Sequence, residues 1–463
     1  MINLSGKKGE KMNSLRDFLD VLKKEAPEEI IHVKKEILPM YETTAILTKL
    51  EQQNRFPVVI FDKVKGSDIP VVVNVNSSRK RLALALKVPE EKLVEKYRTG
   101  EENLICPKLV NSGPVKEVIS KGKEVDLTKL PIMTHHEGDG APYITASIVV
   151  AKDPETGIRN ASFGRLMLIS KNELRTHVTP GRHLWECQRK AEEKGKPLEI
   201  AIFIGLHPAW AIGSLSIAPF TTDEYGVIGG IMGEPLEIVN CETVDLEVPS
   251  MAEIVLEGEI LPNVRKPEGP FGEFTGHSIG VLNRQVIKIK AITHREHPIY
   301  QDIFAGHIEH RLLGAVPREA YLYKAIKAVM PSVKAVHMPN SGCCRFHCYI
   351  SISKKAEGQA KNVIFTALGT DPYLKHVVVV DDDVDVYNET EVLWAIATRV
   401  QADEDVFIIP GCRGSDLDPS AKEQGIITKV GIDATKTLLR PFPSRLKIPE
   451  KVMNKIKLED YLK

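Results

Sequence analysis

The chain of 463 residues reads as a mixed α/β (α+β) protein of three units with a small β-barrel at its centre, and three observations predict this. The length exceeds what a single hydrophobic core usually organises. Both ends alternate helical periodicity with short β-branched runs. The middle is instead a succession of strand-like runs separated by turn residues, which is the texture of a barrel. The units are placed at residues 1–115, 116–310 and 311–463.

In the first unit, Ser14-Leu-Arg-Asp-Phe-Leu-Asp-Val-Leu opens an amphipathic helix with Asn13 or Ser14 as its cap. Pro57 to Phe61 and Ile69 to Asn74 are its β-branched strands. In the second, strands are predicted at Ile144 to Ala151, Gly164 to Ile169, Leu198 to Ile204, Leu236 to Asn240, Glu253 to Glu257 and Val286 to Lys290, with a helical insertion from Arg182 to Lys194. The third returns to α/β texture. Helices are expected at Arg318 to Val329, Gly358 to Ala367 and Thr390 to Val400, and strands at Val333 to His337, Phe346 to Ile352 and His376 to Val380. The tail from Pro449 to Leu462 reads as an amphipathic helix that packs on a neighbouring subunit.

Composition narrows the function. Lys plus Arg and Asp plus Glu both number 62, and no long run of one sign offers a footprint for nucleic acid or an anionic membrane. A small molecule or another protein is the expected partner. No apolar run reaches the about 18 residues of a membrane helix, and the N-terminus is too polar for a signal peptide. Met12 is an alternative start. Seven cysteines without paired spacing fit reduced thiols, so a soluble, cytoplasmic protein is expected. Cys343, Cys344, His347 and Cys348 cluster locally but lack a second ligand pair, and a structural reading is preferred.

Chemistry concentrates in the central unit. Pro267-Glu-Gly-Pro-Phe-Gly-Glu-Phe-Thr-Gly-His277 sets Glu268 and Glu273 among glycines and prolines, either as a fixed loop presenting carboxylates or as a solvated turn. Asn160 is placed on a turn, with Arg165 projecting from the start of the strand that follows. Arg182 and His183 fall at a helix N-terminus suited to a phosphate. Glu224 lies at the mouth of another helix. Asn160, His183 and Glu224 form a plausible shell for Mn²⁺ or Mg²⁺ completed by a phosphate. Val377-Val-Val-Val-Asp-Asp-Asp383 ends a buried strand in carboxylates, either a ligand site or an acidic loop capping the next helix.

Taken in order, Asn160, Arg165, His183, Glu224, Glu268 and Glu273 resemble the site of the UbiD family of prenylated-FMN-dependent (de)carboxylases. Longer strings carry the same resemblance: Leu246 to Gly258, Glu268 to Gly276, Val380 to Asp385 and Val392 to Arg399, within a span of about 110 to 436. The resemblance implies a split-barrel domain that holds prenylated FMN through Asn160, Phe163, Gly164, Arg165, Arg182, His183 and Glu224. It implies Mn²⁺ (or Mg²⁺), often with K⁺, between the cofactor phosphate and Asn160, His183 and Glu224. It also moves Asp381 to Asp383 into a C-terminal oligomerisation unit.

The implied reaction is reversible, non-oxidative decarboxylation of an α,β-unsaturated or (hetero)aromatic acid. Arg165 would clamp the carboxylate, since its fork can bind both oxygens. Glu273 would donate the proton, held by burial beside a second carboxylate. Glu268 would complete a Glu-Arg-Glu relay. His307, His310 or Arg311 would line the substrate pocket, against the alternative of a polar domain junction. Implied partners are a flavin prenyltransferase that supplies the cofactor, and further copies of the chain as a dimer or a larger assembly up to a hexamer. An accessory or flavin-binding subunit of a carboxylase complex is the alternative from another class.

Overall fold

The computed structural model describes residues 12–462; the polar stretch ahead of Met12, on which the signal-peptide reading rests, lies outside the described residues. Met12 is buried. Ser14 then starts α1 (Leu15–Glu25) with a reciprocal cap, Asp17 N donating to Ser14 Oγ and Ser14 N to the Asp17 carboxylate. The N-terminal unit continues through β1 (Ile30–Val33), α2 (Glu42–Gln52), β2 (Val58–Phe61), β3 (Val71–Val73), α3 (Arg79–Ala85) and α4 (Leu93–Glu102).

The middle of the chain supplies β4 (Lys108–Leu109), β5 (Val118–Lys121), β6 (Tyr143–Lys152), β7 (Arg159–Leu168), β8 (Glu173–Thr176), α5 (His183–Glu193), β9 (Leu198–Ile204), α6 (Pro208–Gly213) and α7 (Glu224–Met232). It goes on through β10 (Glu237–Asn240), β11 (Glu247–Pro249), β12 (Ile254–Glu268), β13 (Phe271–Gly272), β14 (Ser278–Ile279), β15 (Leu282–His294) and β16 (Tyr300–Gln301). Among the described residues, six strands close a barrel in the order β12-β9-β6-β7-β8-β15, with β12 and β15 paired to shut it and β5 added outside β15. Period-two alternation makes both faces useful: Val149 and Ala151 enter one core, Ile148 and Val150 another. Gly258 sits where β12 shifts register against β15. A Cβ there would meet the Lys288 carbonyl oxygen at 2.2 Å, so only glycine lets the closing strands approach. β16 runs on to pair with β3, tying the barrel to the N-terminal sheet.

The C-terminal unit comprises α8 (Ile308–Leu313), α9 (Ala315–Val329), β17 (Val333–His337), β18 (His347–Ile352), α10 (Gln359–Thr370), β19 (His376–Asp381), α11 (Glu389–Arg399), α12 (Ala402–Asp405), β20 (Val406–Arg413), β21 (Ile426–Ala434) and α13 (Glu450–Lys455). Its sheet runs β17-β18-β19-β21-β20, with the central strands parallel. α9 and α10 share a core with the barrel-side helices α4 and α7, while Val392 and Ala395 of α11 pack in a separate cluster with Val378 and Val380.

Several expectations are corrected. The terminal helix is only α13, followed by a 3₁₀ turn at Leu458–Asp460. Val452, Met453 and Leu458 are exposed on the single chain, and a short helix without intrachain packing gains too little to propagate. The acidic strand end does not cap α11, because Asn388 does so through Thr390 N; Asp381 and Asp383 instead receive the guanidinium of Arg399. α6 was not foreseen, since all six of its residues are buried and it shows no amphipathic pattern. Cys344 and Cys348 are buried and all seven cysteines are free thiols. No grouping of three His, Cys, Asp or Glu able to hold a metal occurs among the described residues, and no helix there is long and apolar enough to cross a membrane.

Candidate active site

Asn160 belongs to the strand, not to a turn before it. Arg159 to Ser162 continue the ladder of β7 against Val149 to Lys152 of β6, and the reversal falls earlier, at residues 154–157. Asn160 and Arg165 are therefore fixed by one strand. Ser147 Oγ donates to the Gly164 carbonyl and Thr176 Oγ1 to that of Arg165, pinning the backbone between them. Gly164 has no room for a side chain, as a Cβ would stand 2.8 Å from Val149 Cγ2.

Glu268 likewise ends a strand, β12, and is not a loop residue. It reaches Arg165 through the pairing of β12 with β15 that closes the barrel, while Glu273 sits in the turn after β13. Arg165 Nε donates to Glu268 Oε1 at 3.2 Å and Nη2 to Oε2 at 3.3 Å, while Nη1 donates to Glu273 Oε1. Both carboxylates are buried. The Phe271 ring lies 5.3 Å from the guanidinium carbon. One cation thus holds two buried anions, and such a trio is balanced when it binds a proton or a further cation.

A second polar group gathers about Glu224 at the start of α7. Asn160 Nδ2 donates to Glu224 Oε1 at 3.0 Å, Ala161 N donates to Oε2 at 3.0 Å, and His183 Nδ1 lies 3.2 Å from Oε1. His183 is the first residue of α5 and Arg182 its N-cap position. Asn160 Oδ1 is buried without a hydrogen-bond partner among the described residues. An orphaned carbonyl oxygen beside a carboxylate and an imidazole is the donor set of a hard or borderline divalent ion.

A cavity of about 870 Å³ lies between the barrel and the C-terminal unit. Phe163, Gly164, Arg165, Arg182, Glu273 and His310 line it. Glu268 stands behind Arg165, and Asn160, His183 and Glu224 are set back from the wall. His307 is elsewhere: its ring stacks on Phe304 at 5.1 Å and its Nε2 lies 3.7 Å from Glu51 of the N-terminal unit. Arg311 does not line the cavity either, but its Nε donates to the Phe274 carbonyl at 3.1 Å, bracing the turn that carries Glu273.

The sequence reading missed His177, Arg284, Arg345 and Arg413, which also line the cavity. Arg345 immediately follows the Cys343-Cys344 pair, where thiols drew attention from the guanidinium. The lining holds five arginines against two carboxylates, Glu273 and Asp416, of which Asp416 already pairs with Arg413. This excess of positive charge acts on the histidines. Burial, then Arg345 and Arg165, pushes His310 down to about 3, and burial with Arg165 and Arg284 pushes His177 down to about 4. Gly306 N donates to His310 Nδ1 at 3.1 Å, so the neutral ring carries its proton on Nε2. His310 is thus a hydrogen-bond donor across the working pH range.

These depressed values have a stability consequence. His177, His307 and His310 bind protons more readily unfolded, near 6.5, than folded, at about 4, about 4 and about 3. Their contribution is complete above pH 6.5 and is lost as pH falls toward 4. Glu309, lifted by burial to about 7, opposes this because its contribution is lost as pH rises through 7. The urea midpoint is expected to fall between pH 6.5 and 4, with a shallower slope in His310→Asn; an equal slope in both proteins would contradict the assignment.

Three family profiles, described as the N-terminal, Rift-related and C-terminal domains of UbiD, 3-octaprenyl-4-hydroxybenzoate carboxy-lyase, match residues 21–99, 108–308 and 311–434. Anhydromevalonate phosphate decarboxylase of Methanothermobacter thermautotrophicus is 41% identical over 424 residues, covering 92% of this chain and 97% of that protein. The UbiD-class enzyme HmfF of Pelotomaculum thermopropionicum, solved in complex with FMN, is 44% identical at a TM-score of 0.92, covering 97% of this chain and 100% of that one. An evolved dimeric form of HmfF in complex with prFMN gives 42% identity and a TM-score of 0.88 over 97% and 100% of the two chains.

Proposed function

The chain belongs to the UbiD family of carboxy-lyases, and from that premise we propose that it reversibly decarboxylates an α,β-unsaturated or (hetero)aromatic carboxylic acid bearing a second anionic group, with prenylated FMN as cofactor. The observation that carries this reading is Arg165 on the wall of an electropositive cavity, held between Glu268 and Glu273.

Asn160, His183 and Glu224 would hold Mn²⁺ or Mg²⁺, with K⁺ nearby, against the cofactor phosphate; the orphaned Asn160 Oδ1 supports this fit. Arg182 would add a phosphate contact, and Phe163 and Gly164 would face the ring system. When bound, the modified flavin supplies the electron sink that decarboxylation at an sp² carbon requires and that no side chain here provides. Arg165 orients the substrate carboxylate through its fork. Glu273 delivers a proton to the carbon that CO₂ leaves, and its place on the cavity wall gives it access. Glu268, one layer back, balances Arg165. His310 Nε2–H and Arg345 suit a distal anionic group, and a relative named for a phosphate-bearing acid supports that choice. Exposed Phe365, Leu393 and Ile408 on the C-terminal unit are consistent with a homodimer or hexamer.

The test is CO₂ release by protein co-expressed with a flavin prenyltransferase. Cinnamate would be compared with 4-carboxycinnamate, and 4-hydroxycrotonate with 4-phosphooxycrotonate. The doubly anionic member of a pair is expected to have the higher kcat/KM, by about 10-fold or more for one charge-assisted contact. Equal values within both pairs would remove the distal anion. No CO₂ from any acid, with protein free of cofactor in every preparation, would favour the accessory-subunit reading.

A further inference from the structure

Tyr143, the first residue of β6, is buried beneath the Glu-Arg-Glu trio without reaching the cavity. Its hydroxyl donates to Glu268 Oε1 at 3.0 Å. Its ring packs 4.3 Å from that of Phe271, the aromatic lying beside the Arg165 guanidinium. Burial and the adjacent Glu268 raise the phenol far above its ordinary range, so it keeps its proton and acts as the donor.

The hydrogen bonds divide unequally between the two carboxylates. Among the described residues, Glu268 accepts from the Tyr143 hydroxyl, Arg165 Nε and Arg165 Nη2, and Glu273 accepts from Arg165 Nη1 alone. A carboxyl surrounded by donors is best satisfied as the acceptor-only anion, whereas one facing open space can turn an O–H outward. One guanidinium cannot balance two buried anions, so the trio favours one bound proton. The remaining question is which glutamate carries it. We infer that Tyr143 is the positioning residue that decides: by donating to Glu268 it keeps that carboxylate ionised and leaves the transferable proton on Glu273, at the cavity. This rests on the decarboxylase reading for its catalytic consequence, though not for the placement of the proton.

Other charged groups face the trio without repeating this contact. Arg284 on β15 is held below its usual range by burial and by Arg165, with Glu268 pulling the other way. His177 after β8 and His310 on α8 face Arg165. Arg175 Nη1 donates to the Pro267 carbonyl next to Glu268, not to its carboxylate.

Tyr143→Phe removes the hydroxyl and keeps the ring packing. In holoenzyme assayed with 4-carboxycinnamate and 4-phosphooxycrotonate, the plateau of the kcat profile is expected to fall and its alkaline limb to move to higher pH by up to about one unit, the size of one hydrogen bond to a charged group, because Glu268 then competes for the proton and the pair holds it more tightly. Replacing Tyr143 by 3-fluorotyrosine, a stronger donor, is expected to leave the plateau and the limb in place. Infrared spectroscopy gives a readout independent of turnover. Wild type is expected to show one protonated-carboxyl stretch at pH 7 that Glu273→Gln removes, and Tyr143→Phe alone is expected to add a second at a different frequency as Glu268 takes a share of the proton. A uniform loss of kcat without movement of the limb, or no new carboxyl stretch, overturns the inference and leaves Tyr143 a packing residue. If wild-type protein turns over neither acid, the infrared result still decides the proton's position, so the two readings fail separately. Unchanged cofactor loading and thermal midpoint would show that Tyr143→Phe is folded.

Discussion

Glu273→Gln is expected to lower kcat by about 10²- to 10⁴-fold, the usual range for removing a positioned acid, while the protein still retains its flavin. Glu273 touches the cavity, and among the described residues its side chain bonds to Arg165 alone. Gln preserves the shape and can still accept from Arg165 Nη1, so packing changes little; what is lost is the transferable proton. Asn160, His183 and Glu224, on β7, α5 and α7, form a separate hydrogen-bonded cluster, which is why cofactor retention is expected to survive. Single-turnover CO₂ release and flavin absorbance measure the two quantities together. A variant with the wild-type rate would remove Glu273 from the chemistry, and one without flavin would show that the two halves of the site are not separable.

Arg165→Met is expected to combine the loss of turnover with the largest loss of stability in the site. It leaves Glu268 and Glu273 buried without their shared cation, and breaking a buried pair from one side costs about 3–5 kcal/mol. The sign of the pH dependence is fixed by the same argument. Below the pH at which the unfolded chain's carboxyls ionise the deficit is smallest; above it the unfolded chain releases protons that the buried, unpaired carboxyls keep, so the deficit grows from pH 5 to pH 8. Urea unfolding of wild type and variant at pH 5 and pH 8 tests this. A deficit independent of pH would mean that lost packing of the long side chain, not uncompensated charge, accounts for it.

The barrel and the flanking α/β units were legible because their signals are periodic. β9 and β17 coincide with their predicted runs, and β18, β19 and α11 begin within a residue or two of them. β12 and β15 were read as short strands because Asn263 at φ 57°, the register shifts, and the charged stretch Arg265 to Glu268 interrupt a simple alternation that the ladder between the two strands sustains. The order of Asn160, Arg165, His183, Glu224, Glu268 and Glu273 pointed to two clusters, and the fold gathers those residues into two. Arg345 and Arg413 carry no local motif, and only the packing of the third unit against the barrel brings them to the cavity. Tyr143 escaped notice because a tyrosine at the head of an apolar strand looks like core until its hydroxyl is seen to meet a carboxylate.

Barrel closure has one more consequence. Arg165 is carried by β7, but its carboxylates arrive at the end of β12 and in the turn beyond it, about a hundred residues later. A chain in which β12 and β15 had not yet annealed would hold the flavin-side half and the acid half as unconnected pieces. Catalysis is therefore an all-or-none readout of folding: recovery of CO₂ release after dilution from denaturant should lag the return of strand signal and coincide with the last tertiary event, making turnover a clock for the closing of the barrel.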